Sequence, residues 1–198
     1  MYEIPTQVYI EEQSYAIRNQ GDYRMVLDCF SALNDNELSK EERLFSSLII
    51  FYEAFEDLNS IIVLPQESLE CFIQEMYRFF NGGQDTSVGA ELRYNLLDWD
   101  KDSQLVCSGI NKVAGKEIRS EAYLHWWTFL SYYMAIGEGP LSTVLSIRHK
   151  IVENKKLEKY EKEFRRNNPQ YFVWDAKTVE QKEADDWVRS VWNKGVKQ

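Results

Sequence analysis

Leu124–Met134 reads "LHWWTFLSYYM", and five of these eleven residues are Trp, Phe or Tyr. At helical spacing, Tyr123, Trp126, Trp127, Leu130, Tyr133 and Met134 share one broad face. Leu124, Phe129 and Tyr132 cover much of the remainder. A helix that is apolar nearly all round must be buried nearly all round. The stretch is therefore expected as the central, aromatic-rich helix of a helical core, within a longer helix running from Lys116 to the stop at Gly137, Gly139 and Pro140. Eleven residues fall well short of the ~20 that span a bilayer, and "RSEA" just before them is charged. His125 is expected as a core or boundary histidine with one satisfied nitrogen. No nearby Ser, Cys or acid completes a triad or a metal set with it.

The pattern on either side is also helical. "YRMVLDCFSALN" follows Asp22, a good N-cap, with Val26, Leu27, Phe30 and Leu33 at helical spacing. Ser39 with Glu42 forms a capping-box signature ahead of Leu44, Phe45, Leu48, Ile49, Tyr52 and Phe55. Pro65 opens a further helix with Leu69, Phe72, Ile73, Met76 and Phe80 inward, and "NGG" at 81–83 stops it. Residues 82–95 read as a surface loop. A helix follows Asp98 and ends at Gly115. Shorter helices are expected near 141–152 and 154–167, and an amphipathic one within 175–198. Only the start differs. Alternation in "QVYIEEQSYAI" places Val8 with Ile10 and Tyr15 with Ile17, a hairpin turning at "EEQS". The fold class is mainly α with a small N-terminal β-hairpin.

The 198 residues carry 44% hydrophobic and 28% charged side chains, ordinary for a globular chain. Net charge is -9, which argues against nucleic acid as a partner. The charge is uneven: residues 1–147 hold 23 acids and 10 bases, residues 148–166 hold 4 acids and 8 bases. That split reads either as a solvated helix face or as self-complementarity, within one chain or between copies. Cys29, Cys71 and Cys107 are too scattered for a disulfide framework or a zinc site and suit a reducing compartment. The N-terminus has no signal-peptide pattern, and no run is long enough to span a membrane.

Catalytic and metal motifs are missing from the sequence. Asp98, Asp100 and Asp102 alternate like the opening of a calcium loop, but its sixth and twelfth places hold Ser103 and Gly109. They are better read as acids at a helix N-terminus. "GEG" at 137–139 has no Lys-Ser/Thr partner and reads as a turn. His125 and His149 fall on different helices. Glu158 with Lys162, and Glu161 with Arg165, are spaced as helical ion pairs worth roughly a few tenths of a kcal/mol each. Arg148, His149 and Lys150 have too little aromatic interleaving for nucleic acid. No catalytic residue, metal or cofactor is expected.

Taken in order, "YAIRNQGDYRMVLDCFSALND", "FFNGG", "LLDWDKDSQLVCSGINKV", "YLHWWTFLSYYMAIGEG" and "SIRHKI…KLEKYEKEF" resemble the gene-product-fifteen family of temperate tailed phages of Gram-positive bacteria. "HWWTF", "FxNGG" and the "DW" before the helix are its most specific pieces. The resemblance covers 1–168 and leaves 169–198 as a C-terminal extension. It implies a gene next to that of the tape-measure protein, and hence a tail assembly chaperone that coats this long client before tube subunits do. Such a protein would work in the host bacterial cytoplasm, as a homo-oligomer, and be absent from the mature virion. It supplies no catalytic residue. Trp187, Val188, Val191 and Trp192 lie together on one side of the expected last helix. They either grip a partner or dock back on the same subunit. A structural or regulatory phage protein, sensed by or acting on a host defence protein, is the alternative.

Overall fold

The computed structural model describes residues 3–84 and 96–174. They are mainly helical, with one two-stranded antiparallel hairpin. Compactness divides them into two units, a division not expected from the sequence, which reads as one body over 1–168. The first unit comprises 3–84 and 123–130, the second 96–122 and 131–174.

The first unit begins with β1, Gln7–Ile10, and β2, Gln13–Ala16. Glu11 and Glu12 make the two-residue turn with φ of 50° and 68°. Both central residues of such a turn need positive φ, and its twist then matches the strands without any glycine. Val8 and Ile10 are buried, whereas Gln7 and Tyr9 are exposed. After β2 the chain makes a left-handed turn: Asn19, Gln20 and Gly21 all have positive φ. Asp22 then caps α1, Tyr23–Asn34, accepting from the Arg24 N–H at 2.9 Å. The Ser39–Glu42 capping box opens α2, Lys40–Phe51, with both of its bonds formed. Helices α1 and α2 pack side by side across the fully buried Ser47, whose hydroxyl donates to the Cys29 carbonyl at 3.2 Å. Helix α2 stops at Phe51, so Tyr52 and Phe55 are not on its stripe. Both remain buried, and the Tyr52 hydroxyl donates to the Phe72 carbonyl at 2.8 Å. Two further helices complete the run: α3, Leu58–Ile62, and α4, Gln66–Phe80, the latter opened by Pro65 and closed by Asn81–Gly83.

A continuous set of rings fills this unit. Tyr15 meets Phe72, Phe72 meets Tyr52, and Tyr52 meets Phe51. Phe51 meets Phe79 and Phe80, and Phe80 meets Phe30. Phe30 meets Trp126, Trp126 stacks on Phe129, and Phe129 stacks on Tyr23. Centroid separations run from 4.6 to 5.7 Å, the range in which ring pairs contribute about 0.5–1.5 kcal/mol beyond area burial.

The opening stretch corrects the expectation built on it. Helix α6 spans only Trp126–Met134. Ile118–Ser120 is a short 3-10 turn, and Leu124 and His125 are extended rather than helical. Tyr23 donates to the Leu124 carbonyl at 2.9 Å, and the Asp22 carboxylate accepts from the Leu124 N–H at 2.9 Å. Those pairings hold the segment as a strand-like bridge beside Asp22, which a helix could not supply. Of the expected core face, Trp126 is buried and Trp127, Leu130 and Tyr133 are half-buried. Met134 is 82% exposed and Tyr123 is 45% exposed. Tyr123 precedes the helix, and its hydroxyl donates to the Gln20 carbonyl at 2.9 Å.

In the second unit, α5 spans Ser103–Ala114 and ends at Gly115 with φ +69°. Helix α7 spans Pro140–Val152, and α8 spans Lys159–Asn167. Pro169–Phe172 forms a 3-10 turn. Asp102 and Arg148 are fully buried and pair through both oxygens, at 2.5 and 2.9 Å. Arg148 also donates to the carbonyls of Leu96 and Tyr171 at 2.6–2.9 Å, and the Trp174 ring lies 4.9 Å from its guanidinium. One side chain therefore ties α7 to the segment before α5 and to the one after α8. Glu161 is buried and pairs with Lys150 at 2.6 Å, not with Arg165.

Candidate partner-binding surface

Two of the three motifs singled out as most specific, "FxNGG" and "HWWTF", touch each other. A helix ends with orphan carbonyls, and α4 ends at "FFNGG". The Trp126 indole N–H donates to the Phe80 carbonyl, and the Trp127 indole N–H to the Phe79 carbonyl, both at 2.9 Å. Adjacent tryptophans thus donate to adjacent carbonyls, that of Phe79 also accepting from the Gly82 N–H at 3.0 Å. Gly83 has φ +83°, and a Cβ there would come within 2.9 Å of the Trp127 ring. The helix stop is in this way shaped to receive the indole.

His125 is held from both sides. Its Nδ1 accepts from the Trp127 N–H at 3.0 Å, and its Nε2 lies 3.0 Å from the Pro5 carbonyl. With Nδ1 accepting, Nε2 is the donor, and the ring is neutral. Burial lowers its pKa below the ordinary 6.5, against the Pro5 carbonyl and the Asp22 carboxylate, which favour the charged form. The expected histidine with one satisfied nitrogen thus has both engaged. Gly21 makes this packing possible: its φ is +78°, and a Cβ would fall 2.7 Å from Phe79 and 2.9 Å from His125 Nε2.

A groove opens beside this junction, with a volume of about 280 Å³. Pro5, Val8 and Tyr9 line one side, and Glu75, Phe79 and Trp127 the other. Gln7 and Arg78 add polar atoms, and Arg78 pairs with Glu75 at 3.4 Å. The register fixes which backbone groups face outward. Ile17 donates to the Thr6 carbonyl, and Val8 opposes Tyr15 and Ile10 opposes Gln13. Antiparallel bonding alternates, so Thr6, Val8 and Ile10 bond toward β2. Gln7 and Tyr9 turn their N–H and C=O groups to the free edge. Pro5, next in the same alternation, has its carbonyl taken by His125. Among the described residues, no third strand pairs with this edge.

The surroundings are acidic. Residues 1–84 hold 15 acids and 5 bases. Burial raises the Cys71 thiol pKa, and the carboxylates of Glu11, Glu70, Glu75 and Glu67 raise it further. Burial also raises the thiols of Cys29 and Cys107, away from the thiolate that nucleophilic attack requires. Among the described residues, no cluster of three or more His, Cys, Asp or Glu could hold a metal. Asp102, read as a calcium-loop look-alike, is committed to Arg148. No helix among the described residues is long and apolar enough to cross a membrane.

Sequence reasoning missed this groove and the role of Arg18. Arg18 Nη2 lies 2.9–3.1 Å from the carbonyls of Ile49, Tyr52 and Phe55, closing the end of α2. "NQG" was the available signal, since Asn and Gly accept left-handed backbone. Trp187, Val188, Val191 and Trp192 lie outside the described residues, as does most of the loop expected at 82–95.

No curated protein and no solved structure matches the chain. The family model described as Bacteriophage Gp15 protein matches residues 2–172, a span that takes in the hairpin, the paired "FFNGG" and "HWWTF" motifs and the Asp102–Arg148 pair, and the chain belongs to that phage protein family.

Proposed function

We propose that this phage protein is a non-enzymatic tail assembly chaperone that binds the tape-measure protein in the host bacterial cytoplasm and leaves before the virion matures. The observation that carries the reading is the open groove. It combines ring walls, a free strand edge and an acidic surround, features suited to holding polypeptide reversibly. Family membership supplies the phage setting. Exposed Ile62 and Val63 at the end of α3 add a second apolar patch in the same unit. A long client needs many weak contacts, which several copies acting together would provide.

Co-expression with the protein encoded by the long neighbouring reading frame tests this. The expected result is that the long protein becomes soluble and co-purifies with this chain, while purified virions lack it. A long protein that stays insoluble, or virions that retain this chain, would favour a structural or host-directed role.

A further inference from the structure

We propose that the free edge of β1 accepts an extended segment of another protein as a third strand, and that the side chains this segment turns toward α4 are apolar and basic. The inference rests on reading the chain as a binding protein and says where and how it binds. Three observations carry it. The first is directional: the N–H and C=O groups of Gln7 and Tyr9 point away from β2, and no third strand takes them among the described residues. A strand edge of this kind recognises backbone, which any extended peptide supplies.

The second is shape. About 280 Å³ lies at the low end for small-molecule sites. It suits individual side chains of a strand, with Phe79 and Trp127 as apolar contacts. Trp127 and His125 close the edge beyond Pro5, so an added strand is limited to a few residues.

The third is charge. Glu11 lies against α4, where the Ser68 hydroxyl donates to its carboxylate at 3.3 Å, and Glu67, Glu70 and Glu75 follow along that helix. Alternate residues of an added strand point to one face. Tyr15, opposite Val8, meets Phe72 of α4, so the residues of an added strand on that same face meet both the groove and these acids, and apolar and basic side chains share it. The same rim argues against a second copy, whose β1 carries no base and is flanked by Glu3, Glu11 and Glu12. The basic segment 148–166 is no better suited: it is largely helical, Arg148 is buried, and Lys150 is paired with Glu161.

The test uses the full chain and a fluorescent extended peptide in which Lys and Val take turns at every second position with Thr between them, the Lys–Val peptide, with Glu–Val and proline-interrupted versions as comparisons. Binding of the Lys–Val peptide is expected to weaken with salt and to slow amide exchange at Gln7 and Tyr9, but not at Val8. Gln7→Pro removes one outward N–H and should lower affinity about tenfold or more. Ser14→Pro, on the outer edge of β2, should leave binding intact and controls for folding. Glu75→Lys should weaken Lys–Val binding and favour the Glu–Val peptide. Unchanged exchange at Gln7 and Tyr9, or equal binding by Gln7→Pro, overturns the proposal. Solubilisation of the long neighbouring protein by Gln7→Pro as well as by the parent would sink the edge site and leave the chaperone reading standing. Peptide capture without solubilisation would do the reverse.

Discussion

The two units solve the same problem with different chemistry. Each must fix chain segments that lie far apart in sequence. The first does it with neutral groups: indole N–H groups on helix-end carbonyls, an imidazole between Pro5 and Trp127, and rings in contact. The second does it with a buried charge, Arg148, whose partners are Asp102 and the carbonyls of Leu96 and Tyr171. Neutral donors lose about 1 kcal/mol each when removed. A buried ion pair is all-or-nothing, because removing one partner strands the other. Small replacements should therefore be tolerated better in the first unit than in the second.

The largest effect should come from Arg148→Met. It strands the Asp102 carboxylate at full burial and should cost about 3–5 kcal/mol. Denaturant unfolding measures the loss, with amide exchange in α5 and α7 locating it. Adding Asp102→Leu should recover much of it. Gly21→Ala comes next, at roughly 2–4 kcal/mol, from left-handed backbone plus the clash with Phe79 and His125. It shows that a neutral junction still fails when its space is filled. Trp127→Phe keeps one ring but loses the bond to the Phe79 carbonyl and the part of the indole packed at Gly83, for about 1–2 kcal/mol. A cost equal to that of Arg148→Met would break the comparison.

The smallest effect is set by pH. The folded pKa of His125 lies below its ordinary 6.5. The unfolded chain therefore binds the proton more readily, and stability is lost as pH falls from 6.5 through the folded value. Melting temperatures between pH 7.5 and 5.5 should fall for the parent, while His125→Gln should lose that His-linked part of the slope.

Local signals were legible and long-range ones were not. The bounds of α1 follow from Asp22 and the apolar spacing, the start of α2 from its capping box, and the ends of α4 and α5 from "NGG" and Gly115. The hairpin was readable from alternation, although its turn uses two glutamates. The start of α6 was misread because apolar content alone does not separate a buried helix from a buried extended segment. Leu124 and His125 are extended owing to bonds with Asp22 and Tyr23, a hundred residues away. Arg18 looks like any surface cation until the end of α2 reaches it. The groove exists only once β1, α4 and Trp127 have come together.

The pairing of Trp126 with the end of α4 has a consequence for synthesis. The two partners of that bond are 46 positions apart. At ~5–20 residues per second, a ribosome takes about 2–9 s to cover that distance. For that interval the nascent chain carries Phe79 and Phe80 without the indoles that finish their helix. Cellular holdases that bind exposed rings would find their target there, and then lose it once Leu130 clears the exit tunnel.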